Sequence, residues 1–203
     1  MSRRGTEVNS KAKQVPTGAL TQSRESLPES WKLLLDTCDA DFMTSALAAA
    51  GAAADRGEVP VGAVVVSEGI IVGMGYNRRE QSQSPLSHAE MIAIDEASRR
   101  LRSWRLKDCD LYVTLEPCIM CTGAIIQARM RRLIFGCVDP KAGAVESLYR
   151  LCEDQRLNHQ LPVVGGMLAE ASSVLLADFF ARLRQQKREN RKAERWPSPV
   201  EGA

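Results

Sequence analysis

A chain of 203 residues with 44% hydrophobic and 26% charged residues has the composition of one ordinary globular domain. No apolar run reaches the roughly 18 residues that cross a bilayer, and the basic opening "MSRRGTEVNSKAKQVPTG" has no apolar stretch behind it; neither a membrane span nor a secretory signal is expected, and the cytoplasm is the expected location. Six cysteines at this length do not make a small disulfide scaffold, and a net charge of +2 leaves acidic partners open.

Residues 1–38 carry Pro16 and Pro28, are rich in Ser, Lys, Gln and Glu, and lack sustained periodicity. They read as a flexible extension in which Trp31 to Leu35 could dock as a short helix. A domain is expected over residues 39–194. Phe42, Leu47, Ala50 and Ala54 predict one helical stripe ending near Gly57. "VPVGAVVVSEGIIVGMGYN" reads as a hairpin turning at Ser67 to Gly69, its strands so continuously apolar that both sheet faces should be covered. A helix over 88–101, a strand in "CDLYVTLE", a helix in "CIMCTGAIIQA" and a strand in "RRLIFGCVD" follow. Residues 144–153 read as a short helix, "LPVVGGML" as a short strand, 168–193 as a long terminal helix, and 195–203 as a flexible tail. Alternating strands and helices predict a three-layer α/β/α domain around a mixed sheet of about five strands. From Arg182 to Arg195 seven Lys or Arg residues accompany two Glu, which permits a phosphate-bearing partner without requiring one.

Chemistry concentrates in two short stretches. Cys118 and Cys121 are three residues apart, so a helix starting near Pro117 places both on one face, and its first-turn amides favour thiolates. Taken alone the pair fits a structural zinc, a redox couple or chance. His88, one of two histidines, completes three ligands and leaves a fourth tetrahedral position for water. Glu90 stands where a carboxylate can reach that water, accept its proton and redeliver it. A four-cysteine structural site recruiting Cys109 or Cys137 would leave His88 and Glu90 unused. Cys38, Cys109, Cys137 and Cys152 are otherwise expected to pack, and His159 is not needed as a ligand.

His-Ala-Glu followed by Pro-Cys-x-x-Cys is the combination of zinc-dependent base deaminases. It implies one Zn²⁺ per subunit on His88, Cys118 and Cys121, with Glu90 as proton shuttle and an exocyclic amine leaving as ammonia. Metal chemistry alone does not choose between cytosine, guanine and adenine. "GEVPVGAVVV", "GMGYNRR", "HAEMIAI", "LYVTLEPCIMCTGAII", "IFGCVDPKAGAVESL", "LNHQ" and "LLADFFARLRQ" resemble the bacterial tRNA-specific adenosine deaminases across about four fifths of the chain. That resemblance implies a cytidine deaminase-like fold, conversion of the wobble adenosine to inosine, the tRNA anticodon stem-loop as partner, and a homodimer sharing its active sites. By the same resemblance Asn77 contacts the flipped adenine, Lys141 lies near the RNA backbone, Asn158 shapes the pocket and Phe179 borders it. Arg184, Lys187, Arg188 and Arg191 are candidate contacts to RNA phosphates. Ser87 and Arg79 depart from the Ala and Pro frequent in the family, which bears on recognition rather than on the ligands. A free-base or nucleoside deaminase would use the same metal site without the basic helix, and an inactive RNA-binding module with structural zinc would not need Glu90.

Overall fold

Successive residues of the central strands enter opposite hydrophobic clusters, the period-two signature of a sheet covered on both faces. Ala63, Val65, Leu111, Val113, Leu133 and Phe135 pack into one cluster; Val64, Val66, Tyr112 and Ile134 pack into the other. The protein is described by a computed structural model over residues 38–195, with side chains to residue 191. The expected flexible tail, except Arg195 at the end of the last helix, and, Cys38 apart, the expected N-terminal extension lie outside the described residues. Helix α1 (Asp39–Ala54) precedes strands β1 (Gly62–Ser67) and β2 (Ile70–Tyr76). A four-residue helix α2 (Arg79–Ser82), α3 (Ala89–Leu101), β3 (Cys109–Leu115), α4 (Ile119–Gln127) and β4 (Arg132–Cys137) follow. Strand β5 (Val163–Val164) and the long α5 (Ala169–Arg195) complete the chain.

The sheet order is β2-β1-β3-β4-β5. β1 is antiparallel to β2 and β3, while β3, β4 and β5 are parallel. The expected α/β architecture with a mixed five-stranded sheet is therefore what the chain adopts. The β1–β2 hairpin turns at Glu68 and Gly69, with φ of 50° and 75°, the paired positive angles that match strand twist.

Close helix–sheet contact determines where α3 sits. Ala89, Ala93 and Ala97, four residues apart, are fully buried. They face Gly73 and Gly75, where a Cβ would come within 2.2 Å of the Ala93 carbonyl oxygen and 2.1 Å of that of Ala89. Any side chain at either glycine would push away the helix that begins after His88.

Three expectations are corrected. The buried apolar residues of α1 are Met43, Ala46, Ala49, Ala50 and Ala53, so of the expected stripe Ala50 is fully buried while Phe42 and Leu47 pack partly buried at its edge; its small residues face Gly62, whose absent Cβ would lie 2.1 Å from the Ala46 carbonyl oxygen. Residues 144–153 contain only a single 3₁₀ turn, Leu151–Glu153. The amides of Val145, Glu146 and Ser147 point to the Glu116 carboxylate, so helical partners are replaced by a side chain. Among the four scattered cysteines Cys109, Cys137 and Cys152 are buried as expected, but Cys38 is exposed.

Candidate metal centre and pocket

Strands β2, β3 and β4 run in one direction, and the helices that follow β2 and β3 start beyond their C-terminal ends, the position where open α/β sheets gather ligands. His88 caps α3 with extended backbone (φ −77°, ψ 153°), and Cys118 caps α4 in the same way (φ −75°, ψ 174°). Two positive helix ends thus converge on one point, which favours thiolate over thiol. The extended His88 also resolves its close spacing to Glu90: the imidazole leaves from before the helix and the carboxylate from its first turn, and both line one cavity.

His88 Nδ1 lies 3.5 Å from Cys121 Sγ and 3.7 Å from Cys118 Sγ. Among the described residues, these three form the group of ligand atoms within 4.8 Å of one another that could hold a metal. A tetrahedral zinc with bonds of about 2.3 Å to sulfur and about 2.05 Å to nitrogen sets its N···S edges near 3.6 Å. The donor set therefore fits one zinc ion. The four-cysteine alternative does not form, because Cys109 opens β3 at the end away from Cys118 and the Cys137 thiol donates to the Thr114 carbonyl.

Without a metal the three ligands share protons unequally. The Cys121 thiol donates to Cys118 and, with help from His88, holds the Cys118 thiol down to about 3. Cys121 is pushed up for the reciprocal reason and by burial, and the same Cys118 contact raises His88. Metal binding must displace the Cys121 proton. Glu90 is only 4% exposed, and burial raises its pKa against the opposing pull of its own backbone amide and His88. A carboxyl held up in this way can retain and release a proton nearer neutrality.

The cavity measures about 210 Å³, and besides His88, Glu90 and Cys118 its lining includes Val61, Asn77, Arg79, Glu116, Asp139 and Ala142. Asn77 is buried, its Nδ2 donating to Glu58 Oε2 at 3.4 Å. Lys141 is exposed on the loop between the lining residues Asp139 and Ala142, with its amide donating to Asp139 Oδ1 at 2.9 Å. Two expected pocket residues lie elsewhere within the subunit. Asn158 is exposed and accepts a 2.7 Å bond from Arg129, and with His159 on the Met130 carbonyl its loop is tied to the connection between α4 and β4. Phe179 is half-buried in a groove with Ala54, Gly57 and Leu183, edge-on to Phe180 at 5.4 Å, because its helix runs along α1. Arg184, Lys187, Arg188 and Arg191 are all exposed on α5. His159 contacts the Met130 carbonyl oxygen at 2.9 Å and is no part of the ligand cluster.

Besides Asp39 and Asp110 at the far end of the sheet, two buried carboxylates near the cavity, Glu58 and Glu116, went unassigned in the sequence. Glu58 accepts the amides of Glu80 at 3.2 Å and Gln81 at 2.6 Å. Glu116 accepts the amides of Asp139, Glu146 and Ser147, each at 2.9 Å, that of Val145 at 3.3 Å, and the Ser147 hydroxyl. Burial would raise the Glu116 pKa, but these donors outweigh it and lower the value. The available signal was a single charge set in an apolar stretch, "GEVPVG" and "TLEPC", since a buried carboxylate needs dedicated partners.

Residues 36–137 match the profile of the cytidine and deoxycytidylate deaminase zinc-binding region. The tRNA-specific adenosine deaminase of Bacillus subtilis (strain 168) is 45% identical over 156 residues, covering 77% of this chain and 97% of that protein. A structure solved in a study of A-to-I editing by tRNA:A34 deaminases superposes with a TM-score of 0.65 at 43% identity, covering 67% of this chain and 99% of the other. The guanine deaminase of Nitrosomonas europaea, 24% identical with a TM-score of 0.59 over 72% of this chain and 86% of its own, shares the fold alone.

Proposed function

Because the chain belongs to the bacterial tRNA-specific adenosine deaminases, within the zinc-dependent deaminase superfamily, we infer that it converts adenosine to inosine at the wobble position, 34, of tRNA. The observation that carries the chemistry is the meeting of one imidazole, two thiols and a buried carboxylate at one cavity. His88, Cys118 and Cys121 would hold the zinc, which would supply Lewis acidity toward water near neutral pH. Glu90 accepts a proton from water and places it on N1 of the adenine ring as the water oxygen bonds to C6. The same carboxylate then carries the second proton to the departing amine, the C6–N bond breaks, and inosine and ammonia are the products. Burial of Glu90 supports this role, since a carboxylate with a raised pKa takes the proton from water more readily and holds it for transfer.

Asn77 reads the flipped base in this proposal. Glu58 only accepts, so it turns the Asn77 amide nitrogen toward itself, leaving the carbonyl oxygen and the second N–H for a purine edge. Lys141 neutralises a neighbouring phosphate from the pocket rim. A homodimer is proposed on the exposure of Ile119, Val138, Leu148 and Tyr149, large apolar side chains on segments adjoining the pocket. Among the described residues no helix is long and apolar enough to cross a membrane, and the cytoplasm, where tRNA is found, is the proposed location.

The test is incubation of zinc-loaded protein with a tRNA carrying A at position 34, the same tRNA carrying C there, and free adenosine, guanine and cytidine, followed by nucleoside analysis. Inosine from the A34 tRNA alone is the expected result. Preferential conversion of C34 to U, or of any free compound, overturns the assignment.

A further inference from the structure

The chain from Asp139 to Ser147 forms one wall of the cavity and carries Lys141, yet it has no regular secondary structure of its own. Its internal bonds are few: Asp139 accepts the amides of Lys141 and Ala142 through Oδ1 and that of Gly143 through its carbonyl. Of the remaining amides, that of Ala144 donates to the Pro117 carbonyl at 2.9 Å, and the others close around one side chain. Glu116 Oε1 accepts from Val145, Glu146 and Ser147, while Oε2 accepts from the Asp139 amide and the Ser147 hydroxyl. Gly143 lies so close that a Cβ there would sit 2.2 Å from the same carboxylate.

We infer that Glu116 is a positioning residue for the tRNA substrate, holding the 139–147 loop in the shape that presents Lys141 and forms the cavity wall. Five donors fill the roughly four lone-pair sites of a carboxylate, so Glu116 has no acceptor left for substrate or water although it borders the cavity. Its action is through the loop. A glutamine would keep the size but offer one oxygen, and its NH₂ group would face main-chain N–H groups where acceptors are needed. The substrate part of this inference rests on the tRNA deaminase reading; the loop part stands on the geometry alone.

The experiment compares full-length, zinc-loaded wild type with Glu116→Gln, Glu116→Asp and Gly143→Ala. Zinc content, amide exchange in peptides spanning 138–148, and kcat and KM on an A34 anticodon stem-loop are measured. In Glu116→Gln, zinc stays at one per chain and exchange at 145–147 rises at least about tenfold, as the loss of one charge-assisted bond implies. KM rises by about tenfold while kcat falls less. Glu116→Asp keeps the charge and recovers part of both changes. Gly143→Ala retains the carboxylate but intrudes on it, and gives the same exchange and KM pattern; it carries the test if Glu116→Gln does not fold. Unchanged exchange and KM in either folded variant overturns the inference, as does zinc loss with the loop still protected, which would make Glu116 a support for Cys118. If wild type makes no inosine the functional reading fails, and the exchange arm still decides whether Glu116 holds the loop.

Discussion

His88 and Glu90 are two residues apart in sequence and share a cavity because one precedes the helix and the other belongs to its first turn. That arrangement separates binding from proton transfer and makes the two separable by mutation. Glu90→Gln keeps shape but cannot cycle a proton, so zinc content holds while single-turnover inosine formation falls by about 10²- to 10⁴-fold; a near-normal rate would remove Glu90 from the chemistry. Cys118 provides a second residue-scale test through metal removal. With its thiol held down to about 3 by Cys121 and His88, it is a thiolate at every pH above that value. In chelator-treated protein, alkylation of Cys118 is expected to be nearly flat between about pH 5 and pH 8, where an ordinary thiol gains about tenfold per unit. Cys109, Cys137 and Cys152, pushed up by burial, stay as thiols and lag behind. Peptide mapping of the alkylated sites reads the order, and restoring zinc should protect Cys118. A Cys118 rate that climbs with pH like that of a free thiol contradicts the assignment.

At the scale of elements, the joint between α1 and the sheet is ionic at one end. Arg132 donates to Asp39 at 2.8 and 3.0 Å, to Asp110 at 2.6 Å and to the Tyr112 hydroxyl at 3.1 Å, and all four groups are buried. Tyr112 in turn donates to Asp39, and burial with that contact pushes its pKa up. Removing the guanidinium takes the shared cation from between Asp39 of α1 and Asp110 of β3, leaving Asp39 with the Tyr112 hydroxyl and Asp110 with Arg131. Arg132→Ala is expected to lower unfolding stability by roughly 3–5 kcal/mol in urea titrations, against at most about 1 kcal/mol for Arg99→Ala, whose partner Asp95 is exposed. Equal small losses would show that the network adds no stability. These partners are 93 residues apart in sequence, and nothing local in "CDADF" or "ARMRRL" announces the pairing. Helix α3 was legible by contrast, because its alanines recur every fourth residue. Residues 144–153 read as a helix because their composition permits one, but the carboxylate of Glu116, just beyond β3, takes the amides of Val145, Glu146 and Ser147.

On the scale of the whole molecule, α5 is 27 residues long, about 40 Å. Residues 184–191 are exposed along it without interruption, so this part of the helix offers its basic side chains to solvent rather than to the core. If they meet tRNA phosphates, changing Arg184, Lys187, Arg188 and Arg191 to Gln weakens binding of whole tRNA and reduces the slope of log K against log salt by up to about 3. A short stem-loop should be less affected. Equal affinity and slope for whole tRNA would leave the helix a solvated face. The exposed apolar group at Ile119, Val138, Leu148 and Tyr149 bears on assembly, and sedimentation of the zinc-loaded protein reads whether it is covered by a second copy.

The sequence by itself determined the order of the five strands and four long helices, the alternation of the strands between two helical layers, and the three zinc ligands with their carboxylate. Each of these depends on spacing along the chain: two for a strand, three to four for a helix, three between Cys118 and Cys121. Tertiary structure decided what depends on distant segments meeting. It turned the Glu58 carboxylate onto the start of α2 and that of Glu116 onto the 139–147 loop, paired Arg132 with Asp39, and set Phe179 and Asn158 outside the lining of the pocket within the subunit. The physical reason is that a main-chain amide or a buried charge accepts any partner of the right chemistry, so its choice is made by the packing that brings one within reach.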